Sequence, residues 1–217
     1  MLSLSIKRTI MKKIIFILFS IFLISSCQKK EEKEIVYFKN YDETEQLENQ
    51  QKHEKKRMQF KLFQSKILDM NEVFKPFYKE LTQFTEDNYE DLKPLILEQD
   101  IPTIQKNVQE GKLSYEKLTL FYLYRIRKFE SDSTLSLNSI IALNPNVLKE
   151  AREKDKKKEN ISEFSMYGMP VLLKDNINTK EMATTAGAVA LQKNETESDA
   201  FIVEKLRENG ALILGKV

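Results

Sequence analysis

Gly168-Met169-Pro170-Val171-Leu172-Leu173-Lys174-Asp175-Asn176-Ile177 is the stretch on which the fold of this chain turns. Val171-Leu172-Leu173 places apolar residues on both faces, the pattern of a strand covered on both sides in an α/β sheet. The run stops abruptly at Lys174-Asp175-Asn176. Further on, Ser198 or Asp199 is placed to cap a helix presenting Ile202, Val203 and Leu206, and Gly210 marks its C-terminal stop. Ala211-Leu212-Ile213-Leu214 follows as a second buried strand. Strand, loop, helix and strand in this order predict a right-handed crossover between parallel strands. Ligands of such sheets collect beyond the carboxyl ends of the strands, where Lys174 falls. A lysine at that point either pairs with a neighbouring carboxylate or acts as a chemical group, and its surroundings decide between the two.

Those surroundings form four blocks: residues 168–177; Met182-Ala183-Thr184-Thr185-Ala186-Gly187; Asp199-Ala200; and Leu206-Arg207-Glu208-Asn209-Gly210-Ala211-Leu212-Ile213-Leu214-Gly215-Lys216. In this order they resemble the amidase signature family. Weaker similarity extends back through residues 138–155 and 101–129. The resemblance implies an α/β fold, the N-terminal portion of a mixed sheet covered by helices. It also implies hydrolysis of a carboxamide with no metal or organic cofactor. A lysine at the position of Lys174 works there with two serines, one joined through a cis peptide bond and one the nucleophile. The neutral amine takes a proton from the bridging serine, which activates the nucleophile. A free lysine titrates near about 10.4 and a base working near neutrality nearer about 7–8. Burial at the strand end is the expected source of that change. The resemblance gives Asp175 and Asn176 the task of holding the turn, and Thr184, Thr185 and Gly187 a loop bordering the pocket. Ala188 stands where the family often has serine. No Gly-Gly-Ser-Ser-Gly-Gly-Ser segment occurs in the chain. The serines are expected on segments beyond Val217, so these residues alone are expected to hold the base without the nucleophile and to be inactive. On this reading Leu212, Ile213 and Leu214 lack neighbours, and residues 100–217 expressed alone are expected to be poorly soluble.

Upstream, Phe60, Phe63, Ile67, Met70, Phe74, Phe77, Leu81 and Phe84 follow three- and four-residue spacings that define one helical stripe, with a kink expected near Lys75 because of Pro76. The stripe is expected to pack on the downstream residues. Pro102 opens a helix that Gly111 closes, and Ser114 caps the next, with Leu118, Phe121, Tyr122, Ile126 and Phe129 on one face. Residues 139–143 predict a short buried strand, and residues 146–158 an exposed helix ending in a basic cluster. His53 lies in a charge run that predicts a solvated helix face.

At the N-terminus, Lys12 and Lys13 precede a near-apolar run, Ile14 to Ile24, that ends in Ser25-Ser26-Cys27. The run is short of the roughly 20 residues that a membrane-spanning helix needs. Its basic, apolar and small-residue regions are those of a secretory signal, with Met11 as a natural start. Leu23-Ile24-Ser25-Ser26-Cys27 resembles a bacterial lipobox, which implies lipidation at Cys27 and an extracytoplasmic, membrane-anchored protein, periplasmic or on the cell surface. The following Gln28-Lys29-Lys30-Glu31-Glu32-Lys33-Glu34 has no core-forming pattern and serves as a charged tether.

Composition narrows the classes. Among 217 residues, 35 Lys+Arg and 33 Asp+Glu are interspersed and leave a net charge of +2, which makes no case for nucleic acid. With 31% charged and 41% hydrophobic residues the chain is no polytopic membrane protein. One cysteine excludes an internal disulfide, and one histidine argues against a zinc site of usual composition. The expected organisation is a signal with lipobox at 1–27, a tether at 28–43, a helical region at 44–99 and an incomplete amidase-signature domain at 100–217. The substrate implied is a small-molecule or peptide amide. Two alternatives stand beside this reading. One is a non-catalytic surface lipoprotein that binds a partner through helices 43–98. The other is a tRNA-dependent amidotransferase component, to which the lipobox is opposed.

Overall fold

The computed structural model describes residues 37–39, 42–59, 68–157 and 161–217. The apolar run, Cys27 and the tether lie outside the described residues, as do Phe60, Phe63 and Ile67 of the stripe and Lys158 of the basic cluster. Among the described residues no helix is long and apolar enough to cross a membrane.

Helix α1 spans Thr44–Gln51, and His53 just beyond it is exposed. Pro76 divides the apolar stripe as its chemistry requires. Helix α2 (Met70–Phe74) gives way to a 3₁₀ turn over Lys75–Phe77, and α3 (Tyr78–Gln83) resumes. Phe74, Phe77, Leu81 and Phe84 are buried. They enter the same apolar cluster as Leu118, Phe121, Leu143, Val147 and Leu212, so the stripe packs on the downstream residues as expected. Helix α4 (Glu86–Ile96) lays Tyr89 flat on Phe121, with ring centroids 4.7 Å apart.

Asp100 caps α5 (Ile101–Gln109), Pro102 stands in its first turn, and Gly111 leaves it with φ +73°. Ser114 caps α6 (Tyr115–Glu130), its hydroxyl accepting from the Lys117 amide at 3.1 Å. The strand expected over 139–143 shortens to β1 (Ala142–Leu143). The helix expected to be exposed, α7 (Val147–Lys156), instead packs on α6. Val147, Leu148 and Ala151 are buried there, because these apolar residues share one face despite the charge around them. Arg152 fixes the same contact, reaching Glu116 of α6 at 2.7 Å and Glu80 of α3 at 3.1 Å.

β2 (Pro170–Leu173) leads through a loop into α8 (Phe201–Glu208) and β3 (Leu212–Lys216). The sheet order is β1-β3-β2, with β3 parallel to β2 and antiparallel to β1. β3 is therefore the central strand. Leu212, Ile213 and Leu214, expected to lack neighbours, are buried to 2% exposure or less. The cover expected on both faces of β2 is incomplete, since Leu172 is 39% exposed. Neither Ser198 nor Asp199 caps α8. Ala200 holds the cap position with no side-chain bond, and the Asp199 carboxylate accepts from the Lys180 amide and the Arg207 guanidinium, both at 2.9 Å. Gly210 ends the helix at φ +78°, and its carbonyl accepts the Gly168 amide at 2.8 Å, joining the exit of α8 to the entry of β2.

Candidate functional site

The site forms where the two parallel strands end together. Leu173 is in register with Lys216, and two further bonds extend the ladder: Val217 N–H to Leu173 carbonyl and Asp175 N–H to Val217 carbonyl, both 2.8 Å. The register is irregular, pairing Val171 with Ile213 but Leu172 with Gly215, so that Leu214 is an extra residue. Side chains alternate along a strand, and one inserted residue reverses the parity beyond it. Ile213 and Lys216, three positions apart, thus fall on one face with Val171 and Leu173.

Alternation continues past the end of β2. Leu173 is buried, Lys174 exposed, Asp175 buried and Asn176 exposed. The Asp175 Oδ2 accepts from the Thr185 amide at 3.2 Å, from the Thr185 hydroxyl and from the Gly187 amide at 3.4 Å. Its main-chain carbonyl accepts the Ala186 amide at 3.0 Å. Thr184 is buried, and it exchanges bonds with Asn194 in both directions at 2.9 Å. Asp175, Thr185 and Gly187 are therefore brought together around one carboxylate, Thr184 is held beside them by Asn194, and Asn176 faces outward on the turn.

The burial expected for Lys174 falls instead on Lys216. Its side chain is fully buried, and its Nζ donates to the Thr184 hydroxyl at 2.7 Å, the Ala183 carbonyl at 3.0 Å and the Met182 carbonyl at 3.4 Å. The Asp175 Oδ1, which has no hydrogen-bond partner, lies 3.8 Å from the same nitrogen. Burial pushes the Lys216 amine below the ordinary lysine value, and the Asp175 and Glu181 carboxylates oppose the shift. The sequence carries one signal for it: a lysine ending an otherwise apolar central strand.

An exposed amine thus stands beyond the carboxyl ends of two parallel strands, on a turn anchored by a buried carboxylate. Residues 117–217 match the Amidase family model. A probable amidase of Arabidopsis thaliana is 38% identical over 125 residues, covering 56% of this chain and 24% of the relative. A glutamyl-tRNA(Gln) amidotransferase component of Thermoanaerobacter pseudethanolicus is 32% identical over 118 residues, covering 54% and 23%. Among solved structures, an amidase family protein from Bacillus anthracis superposes with a TM-score of 0.61 at 36% identity, covering 68% of this chain and 29% of that one. The peptide amidase of Stenotrophomonas maltophilia does so with a TM-score of 0.51 at 40% identity, covering 55% and 24%. The chain thus spans about a quarter of the length of the curated relatives it matches. The mixed sheet with its helical cover is similar to part of the fold of these two amidases.

Proposed function

We propose that the protein is an amidase that hydrolyses a carboxamide to an acid and ammonia or an amine, with Lys174 as its base. The observation that carries this is the position of Lys174 at the carboxyl end of β2, on a turn clamped through Asp175, within a segment matched by the Amidase family model. Similarity to peptide amidase makes a C-terminal peptide amide the first substrate class to try. No Gly-Gly-Ser-Ser-Gly-Gly-Ser segment occurs among these 217 residues, so they supply the proposed base and not the serines with which it would work. The test uses the protein encoded by the longest reading frame that contains these residues. Wild type should release ammonia from peptide amides, and Lys174→Ala should reduce the rate by at least about 10³-fold. Ammonia release undiminished in that variant would overturn the assignment.

Similarity to the glutamyl-tRNA(Gln) amidotransferase favours a second reading, in which the ammonia is passed on to an acyl-tRNA rather than released. The two separate on whether turnover of free glutamine requires tRNA and a partner protein. The likeness of Leu23-Ile24-Ser25-Ser26-Cys27 to a lipobox supports the first reading, because a protein anchored outside the cytoplasm would not meet tRNA. Labelling with a fatty-acid analogue that disappears in Cys27→Ser would support the anchor, and its persistence would remove it.

A further inference from the structure

We propose that Lys216 is the positioning residue of the site, acting with Asp175 as a buried ion pair that clamps the 182–187 loop and fixes the turn bearing Lys174; this rests on Lys174 being the base. Lys174 lies between two residues whose main chains are both bonded to Val217, at the end of the central strand. Beyond it, the Asp175 Oδ2 gathers donors from Thr185 and Gly187, while the Lys216 Nζ gathers acceptors from Met182, Ala183 and Thr184. Anion and cation thus grip successive parts of one loop. That loop needs a grip, because Ala186 adopts φ +50° and Gly187 φ +73°, and a non-glycine residue keeps such a conformation only when its surroundings impose it.

Simple packing does not account for this lysine. Apolar side chains of similar volume often replace a buried ion pair without loss of stability, so the pair is poor evidence for a stabilising role and better evidence for fixing a geometry. The three donors of the ammonium all find neutral acceptors on the loop, which leaves the Asp175 Oδ1 with Lys216 as its counter-charge. The other charges near the pair are Glu181, whose carboxylate is bridged to Arg207, and Arg207 itself, which also holds Asp199.

The test uses the full chain and two readouts that need no turnover. The first is amide hydrogen exchange at Thr185, Ala186 and Gly187. The second is the pH profile of reductive methylation of Lys174 with formaldehyde, read by peptide mass spectrometry. Lys216→Met should speed exchange at the three loop amides by about tenfold relative to those of β3. It should slow methylation of Lys174 at pH 8 by about threefold, because the Asp175 charge beside the turn is then uncompensated. The double variant Asp175→Asn/Lys216→Met should return methylation to the wild-type profile. An unchanged profile and unchanged loop exchange in Lys216→Met, whatever its melting temperature, would reduce Lys216 to packing and overturn the proposal. Should Lys216→Met not fold, Asp175→Asn carries the test alone: it must speed exchange at the same amides and accelerate methylation of Lys174, and failure to do so overturns the proposal equally. Neither readout depends on amide hydrolysis, so this result stands apart from the Lys174→Ala turnover experiment.

Discussion

The carboxylate of Asp155, at the end of helix α7, accepts the main-chain amide of Tyr115, the first residue of helix α6, at 2.8 Å. Its other oxygen takes the Glu116 amide at 3.0 Å, and Ser114 takes that of Lys117, so three amides left open by the helix geometry are satisfied. An acidic residue in the last turn of its own helix is unfavourably placed against the helix dipole, and its service to α6 explains it. Asp155→Ala should therefore lower stability by about 1–2 kcal/mol, and Asp155→Asn by about half as much. Urea unfolding measures both, and equal losses in the two variants would count against the cap.

Gly168 tests the junction between α8 and β2. It sits at φ +73°, and a Cβ there would stand 2.1 Å from the ring of Tyr115. Gly168→Ala should cost about 3 kcal/mol, from backbone strain and overpacking together. Gly111 has the same φ with nothing within 4 Å, so Gly111→Ala should cost only about 1 kcal/mol. Thermal melts of the two variants, compared directly, separate the steric part from the conformational one.

Lys174 is exposed, so its role and its contribution to the fold should come apart. Lys174→Ala should leave stability within about 0.5 kcal/mol of wild type. A larger loss by calorimetry would mean that the side chain holds the turn rather than serving chemistry upon it.

Glu130 supplies a pH dependence. Burial pushes its carboxyl up, but the hydroxyls of Ser136 and Ser139 and the amides of Ser139 and Asn138 outweigh it, and the net direction is below the ordinary glutamate value. A carboxyl lowered in the folded state stabilises fully above the unfolded value of about 4.3, and that contribution is lost as pH falls through the lower folded value. The 131–139 loop should accordingly gain hydrogen-exchange mobility on acidification through that window before the sheet does. Glu130→Gln should remove the pH step and cost about 1 kcal/mol at pH 7. A pH step that persists in Glu130→Gln would assign it to another carboxyl.

Local chemistry was legible wherever one residue decides the outcome. Pro76 broke the stripe where a ring without an amide must, Pro102 and Gly111 bounded α5, Ser114 capped α6, and Gly210 ended α8. Long-range demands overrode such rules elsewhere. Asp199 is a good capping residue by type, yet its carboxylate is drawn to Lys180 and Arg207. The charged sequence of α7 concealed a three-residue apolar face that α6 and β3 cover.

Hydrophobic runs, helix stops and turn residues act over short stretches of chain, so the strand–helix–strand unit and the turn at Lys174 were readable before any tertiary contact was known. That β3 lies between β1 and β2, and that the lysine buried beside Asp175 is Lys216 while Lys174 stays exposed, came from pairing between distant segments. The placement of Lys216 follows from the extra residue at Leu214. By shifting the pairing of two strands it changes which face of the sheet Lys216 joins, and no local pattern records a register that is set by the partner strand.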